Sequence, residues 1–142
     1  MHVKIVNGNP VQYPYTMVQF RRDNPNTSFP VEIPDTILET YGVHRVRESE
    51  VPSFDSKVQE LVTGTPVLNG DGWETNYSIS NRPQEEAEYN VRCYRDSLLT
   101  ETDYLAMSDN TLSTEMATYR QALRDVPSQA GFPDNITWPT KP

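Results

Sequence analysis

Tyr119-Arg-Gln-Ala-Leu-Arg-Asp125 runs directly into Val126-Pro-Ser-Gln-Ala-Gly-Phe-Pro-Asp-Asn-Ile-Thr-Trp-Pro139. The first block interleaves cations with apolar residues in a helical pattern, and Pro127 stops it because proline has no N–H to extend the ladder. The second block reads as extended, rich in proline and carrying Trp138, with too few aliphatic side chains to form a core alone. A segment built this way lies on something, either the chain's own helices or a partner. Working upstream, Met116, Tyr119, Leu123 and Val126 fall at helical spacing, with Ser113 or Thr111 available as the N-cap. From Gln84 a second seam appears in Ala87, Val91, Tyr94 and Leu98, and Glu85, Glu86 and Glu88 sit in its first turns, where carboxylates complement the helix dipole. The two seams are of similar length and are joined by a short linker. They predict an antiparallel helical hairpin whose open end is covered by Tyr104, Leu105 and Met107.

Ahead of the hairpin the period changes at Ser80-Asn-Arg-Pro83. His2-Val-Lys-Ile-Val6 alternates polar and apolar, and Asn7-Gly8 is a pair that tolerates positive φ, so a short hairpin toward Val11–Tyr13 is expected. Thr16 caps a brief helix through Met17, Val18 and Phe20, which ends before Pro25. A loop anchored by Phe29 follows. Asp35 then caps a helix with Ile37, Leu38 and Tyr41 on one side, ended by Gly42 in the left-handed region, and the chain extends again over Val43–Val46. Gln59–Thr63 and Trp73–Ile79 read as strands flanking a Gly-rich loop, Gly64–Gly72. Trp73, Thr75, Tyr77 and Ile79 share one face of a half-buried antiparallel strand. The expected class is α+β: a small β-rich module of hairpins and short helices over residues 1–83, then the helical hairpin and extended Pro/Trp tail over residues 84–142.

Apolar residues make up 35% of the 142, which with 12 prolines and a mean hydropathy of −0.69 implies a small core in which the eight tyrosines do part of the burying. The net charge of −8 opposes nucleic acid, whose phosphates repel such a surface. The acidity concentrates in the helical part, since residues 84–126 hold 4 basic and 9 acidic groups. That pattern reads as a solvated helix face or as a surface for a basic partner. A single cysteine, Cys93, rules out an internal disulfide and reads as a small buried hydrophobe in a helix interior. No secretory leader and no membrane-spanning run are recognisable, so neither secretion by the usual route nor a membrane partner is expected.

Catalytic chemistry is hard to find. His2 and His44 lie on different strands without a Cys or second His at ligand spacing, which opposes a zinc site. Gly64–Gly72 lacks the Gly-Lys-Ser/Thr ending of a phosphate loop, and no Gly-x-Ser-x-Gly elbow is present. Carboxylate pairs such as Glu85/Glu86 and Glu101/Asp103 fall at helix starts and in loops. Arg92 can bridge Asp96, while Arg120 and Arg124 line one face. The expectation is a chain with no catalytic residues, no cofactor and no metal, which is to say no enzyme. Contact chemistry is plentiful instead. Arg95, Arg120 and Arg124 are forked donors, and Tyr104, Tyr119, Phe132 and Trp138 are amphipathic rings of the kind enriched at interfaces. Phe132 and Trp138 either close the hairpin's own core or meet a partner.

Three blocks in order, Arg95-Asp-Ser-Leu-Leu-Thr-Glu-Thr-Asp-Tyr104, Tyr119-Arg-Gln-Ala-Leu-Arg-Asp125 and Gly131-Phe-Pro133 with Trp138-Pro139, resemble the phage tail (fibre) assembly chaperone family over about residues 84–139. Tyr104 stands where that family commonly has Trp. More loosely, Tyr13-Pro-Tyr15, Arg21–Pro30 and Gly70-Asp-Gly-Trp73 are similar to leaders of tail-fibre-associated proteins. The resemblance implies a non-enzymatic protein that binds and shields a tail fibre or other tail protein in the host cytoplasm during assembly. A structural component retained in the virion tail is the alternative it implies, and a homo-oligomer is a further option. The partner-binding residues it points to are Arg95, Tyr104, Tyr119, Arg120, Arg124, Phe132 and Trp138.

Overall fold

Asn7 and Gly8 take φ values of 51° and 78°, and this turn folds β1 (His2–Val6) back on β2 (Asn9–Tyr15) as an antiparallel pair. The computed structural model describes residues 1–107 and 109–142. The described residues form a mixed α+β structure with one five-stranded sheet and four α-helices. The chain divides into two compact units: Met1–Ser53 with Leu61–Ser78, and Phe54–Glu60 with Ile79–Pro142.

In the first unit, Thr16 caps α1 (Met17–Asp23) through a reciprocal capping box with Gln19, satisfying backbone donors that the first turn leaves free. Phe20 of α1 is fully buried against Tyr15, Leu38 and Val43, and Phe29 and Tyr41 pack on it with ring centroids 4.8 and 5.4 Å away. Leu38 comes from α2 (Asp35–Thr40). The cap of α2 is Pro34, with φ −59° and ψ 145°, rather than Asp35. Asp35 opens the helix instead and directs its carboxylate to Arg45 Nε at 2.8 Å. Gly42 (φ +69°) ends this segment, where a Cβ would sit 2.6 Å from the Ile5 carbonyl oxygen, so no larger residue fits without displacing β1.

β3 (Val43–Arg47) pairs antiparallel with β1 and parallel with β5 (Gly72–Asn81), and β4 (Gln59–Asn69) lies beyond β5. The strand order is therefore β2-β1-β3-β5-β4. This corrects two expectations. β5 is not purely antiparallel, because the chain after β3 crosses to place β5, not β4, beside it. Ser49 fixes that crossing, its N–H donating to Thr75 Oγ1 at 2.9 Å and its hydroxyl to the Thr75 carbonyl at 2.6 Å. The expected Gly-rich loop is also mostly strand: β4 runs on through Gly64 and Pro66 to Asn69, leaving only Gly70-Asp71 as the turn. Pro66 is tolerated because β4 is an edge strand, where a missing N–H need not break a ladder. Along β5, Trp73 is buried and packs with Val3 and Val46, whereas Ile79 is 38% exposed, so the apolar face fades toward the strand's end.

In the second unit, α3 (Gln84–Thr100) and α4 (Thr114–Asp125) pack with the chain that follows them. Ser113 caps α4, accepting from the Met116 N–H at 3.2 Å. One cluster joins Ala87 and Val91 of α3 to Val58 and Val126, with Phe132, Ile136 and Trp138 laid over it. Another joins Met116, Tyr119 and Leu123 of α4 to Leu98, Leu99, Leu105 and again Trp138. Phe54–Glu60 belongs here: Arg82 Nε donates to the Ser56 and Gln59 carbonyls, and Asn90 Nδ2 donates to the Lys57 carbonyl at 3.1 Å. No helix of the described residues is long and apolar enough to cross a membrane.

Candidate partner-binding site

The residues singled out for partner contact all fall in the second unit, and they divide by burial. Arg120 turns inward, with its side chain only 6% exposed. Its Nη1 donates to the Leu99 carbonyl at 2.9 Å and to Thr102 Oγ1 at 2.5 Å, and its Nη2 donates to Asp103 Oδ1 at 2.7 Å. Leu99 lies in the last turn of α3, at the negative end of the helix dipole, and its carbonyl also accepts from the Thr102 N–H and hydroxyl, each at 3.0 Å. A fixed, forked cation from α4 complements that dipole and adds one more donor to the same carbonyl. Arg120 is thus a buried tie between α4, the end of α3 and the 3-10 turn Asp103–Ala106, and it does not line a face with Arg124, which is exposed. Thr102, 1% exposed, completes the tie. Nothing in the local pattern around Thr102, beyond its place in the Thr102-Asp103-Tyr104 run, signals this role.

Tyr119 is 5% exposed and belongs to the α4 seam. Phe132 and Trp138 are half-buried over the helices. The Trp138 ring meets Tyr94 edge-on at 4.8 Å, and the Arg92 guanidinium lies 4.9 Å from the Phe132 centroid. Gln129 holds the tail in this position, its side-chain amide exchanging two hydrogen bonds with Thr137 at 3.0 and 2.9 Å, much as two paired strand residues would. The Lys57 ammonium lies 4.8 Å from the centroid of the same Tyr94 ring. Its contribution from a distant stretch of sequence carried no local signal.

Three further expectations change. Arg92 bridges Glu88 at 3.2 Å rather than Asp96, in keeping with the better helix order of acid four residues before the cation. Asp96 instead takes both Nε and Nη2 of Arg95, at 2.8 and 2.6 Å, so this forked donor is already engaged. Cys93 is exposed, not a buried hydrophobe, because it lies two residues past Val91 on the opposite side of α3. In the linker, Leu105 packs inward but Tyr104 and Met107 are 59% and 60% exposed and do not cover the core.

What remains at the surface is a set of large amphipathic side chains: Tyr104, Met107 and Arg124, with Tyr89 at 67% and Tyr94 at 43% exposed. A shallow groove of about 400 Å³ runs between Thr118, Tyr119 and Ala122 of α4 and Pro139, Thr140 and Pro142 of the tail. Such an arrangement offers apolar area, aromatic edges and a guanidinium to a protein surface. Among the described residues no three His, Cys, Asp or Glu side chains converge as a metal-ligand set.

Comparison with curated proteins gives no match, and comparison with solved structures gives none either. The C-terminal region, residues 88–142, does match a family model, that of the phage tail assembly chaperone protein.

Proposed function

We propose that this chain is a phage tail-fibre assembly chaperone, a non-enzymatic protein that binds and shields a fibre or other tail protein while the tail is built. The observation that carries the reading is the family match over residues 88–142, which coincides with the folded helices and tail of the second unit. The physical need is plain. Tail chains expose strand edges and apolar faces before they assemble, and these aggregate unless covered. The order of contacts, Ala87 and Val91 with Val126 but Leu98 and Leu99 with Met116, Tyr119 and Leu123, supports an antiparallel helical hairpin. The Pro/Trp tail acts as its lid. On this reading Tyr104 and Arg124 meet the partner directly, together with the outer edges of Phe132 and Trp138. Arg95, Tyr119 and Arg120 hold those groups in place. The work is done in the host cytoplasm.

Co-expression with the tail-fibre chain of the same phage tests this. The fibre chain is expected in the soluble fraction, bound to this protein, when the two are made together, and in inclusion bodies when made alone. Equal solubility with and without it overturns the proposal. A structural component of the finished tail shares the same surface and differs only in residence. Protein composition of purified particles separates the two, with stoichiometric presence favouring the structural role.

A further inference from the structure

β2 and β4 are the two edges of the sheet, at opposite ends of the order β2-β1-β3-β5-β4. In a flat sheet they would lie about 19 Å apart, four strand spacings. Yet Pro10–Tyr13 of β2 and Thr63–Thr65 of β4 line one cleft of about 500 Å³. The sheet therefore curls until its edges face each other, as a barrel does just short of closure. A second cavity of about 420 Å³ shares Tyr13 and Thr63 with the first and continues past Met1, Val46, Glu48, Thr75 and Tyr77.

Each edge strand has a neighbour on one side only, so both present unpaired backbone groups to the seam. The prolines restrict where this matters. Pro10 and Pro14 bracket Val11–Tyr13 in β2, and Pro66 follows Thr63–Thr65 in β4. These imino acids cannot donate, which blunts the remainder of each edge and leaves two short windows opposite each other. The side chains there are small or uncharged (Thr63, Gly64 and Thr65 against Val11 and Gln12), and Val11 is 58% exposed.

We propose that the seam between β2 and β4 is a strand-acceptor site that takes one extended, uncharged segment of the tail protein and pairs with it on both sides. A strand is the one element that satisfies two facing edges at once. Among the described residues, the Pro10–Tyr13 and Thr63–Thr65 lining of the seam itself carries no charged side chain, and Glu48 lies only in the adjoining cavity. This selects a neutral segment at the seam, since a charge inserted there would be desolvated without a partner. A second copy of this chain fits poorly: each carries a net charge of −8, and a stable dimer needs about 800 Å² from each partner, more than a one-strand cleft supplies. The identity of the donor as a tail protein rests on the function proposed above, whereas the strand chemistry does not.

The full chain is titrated with a blocked ten-residue peptide of alternating Thr and Val while backbone amide exchange is followed. Exchange at Val11–Tyr13 and Thr63–Thr65 is expected to slow at least tenfold. A peptide N-methylated at alternate residues is expected to have no effect there, and so is the intact peptide on the Thr63→Lys/Thr65→Lys variant, whose exposed substitutions leave the thermal melt unchanged. No slowing at millimolar peptide, or equal slowing by the N-methylated one, overturns the site. In co-expression, a Thr63→Lys/Thr65→Lys chain that still keeps the fibre soluble removes the seam from fibre binding but spares the chaperone reading. A wild-type chain that fails to solubilise the fibre sinks the chaperone reading, and the peptide result then stands or falls by itself.

Discussion

The two units hold themselves together by different means. The first relies on a backbone ladder and an aromatic knot: β1 is paired on both sides, and Phe20, Phe29 and Tyr41 meet ring to ring. The second has little ladder and relies on side chains from distant stretches, with Trp138 reaching two apolar clusters and Arg120 tying three segments. The family match covers part of the second unit and none of the first. The lesson is that a short recognisable signature can mark the part of a chain whose packing depends on a few named side chains. A sheet, whose hydrogen bonds run between backbones, accepts many sequences.

That contrast can be broken at single positions. The largest effect is expected from Leu123→Asp, which puts an unpaired carboxylate into a site that is 0% exposed. It should cost roughly 5 kcal/mol and unfold α3 and α4, as read by circular dichroism and amide exchange. An unchanged melt would refute the packing of that seam. Next comes Phe20→Ala, at about 3–4 kcal/mol, felt in the amides of β1, β3 and α2 that surround the aromatic knot. Arg120→Ala should cost about 2–3 kcal/mol in a urea titration, because three hydrogen bonds to a charged donor are lost from a buried site. If this substitution proves neutral, the second unit is held by apolar packing alone, and the contrast between the two units sharpens.

Smaller still, Thr16→Ala removes the α1 capping box and should cost about 1 kcal/mol. The least effect is a pH dependence in the first unit. The Nε2 of His2 is buried and finds no hydrogen-bond partner among the described residues, Asp35 Oδ1 lying 3.8 Å away. Burial first, then the nearby N-terminal charge, hold the His2 pKa below its ordinary 6.5, with Arg45 adding to them and Asp35 opposing. The folded state thus binds this proton less readily than the unfolded chain. Stability present above pH 6.5 is lost as the pH falls through the folded-state value. His2→Gln should flatten that acid slope in urea titrations run between pH 7 and 5, and an unchanged slope would assign it to other groups.

Much of the local structure was legible in the residues. Asn7-Gly8, the Thr16 cap, the Gly42 stop and the α4 seam follow from short-range rules of φ, capping and helical period, whereas of the expected α3 seam Ala87 and Val91 are buried and Tyr94 is exposed. The errors share one cause. Gly64–Gly72 reads as a loop, but whether a proline such as Pro66 breaks a strand depends on which side of the sheet it occupies. Arg120 and Arg124 looked alike one turn apart, yet acceptors on Thr102, Asp103 and Leu99 exist for only one of them. The exposed set Tyr104, Arg124 and Tyr89 emerged only after burial had removed its neighbours.

By itself the sequence determined where α1 begins and α2 ends, that two helical stretches follow residue 84, and that a proline-rich trailer needs a surface to lie on. Those properties depend on bond rotation and hydrogen bonding among residues a few positions apart. Only the tertiary structure decided that β5 lies beside β3, that β2 and β4 face across one seam, and that Arg120 is locked inward while Arg124 meets solvent. Such outcomes turn on which distant backbone edge or carbonyl arrives alongside, and no local pattern carries that information.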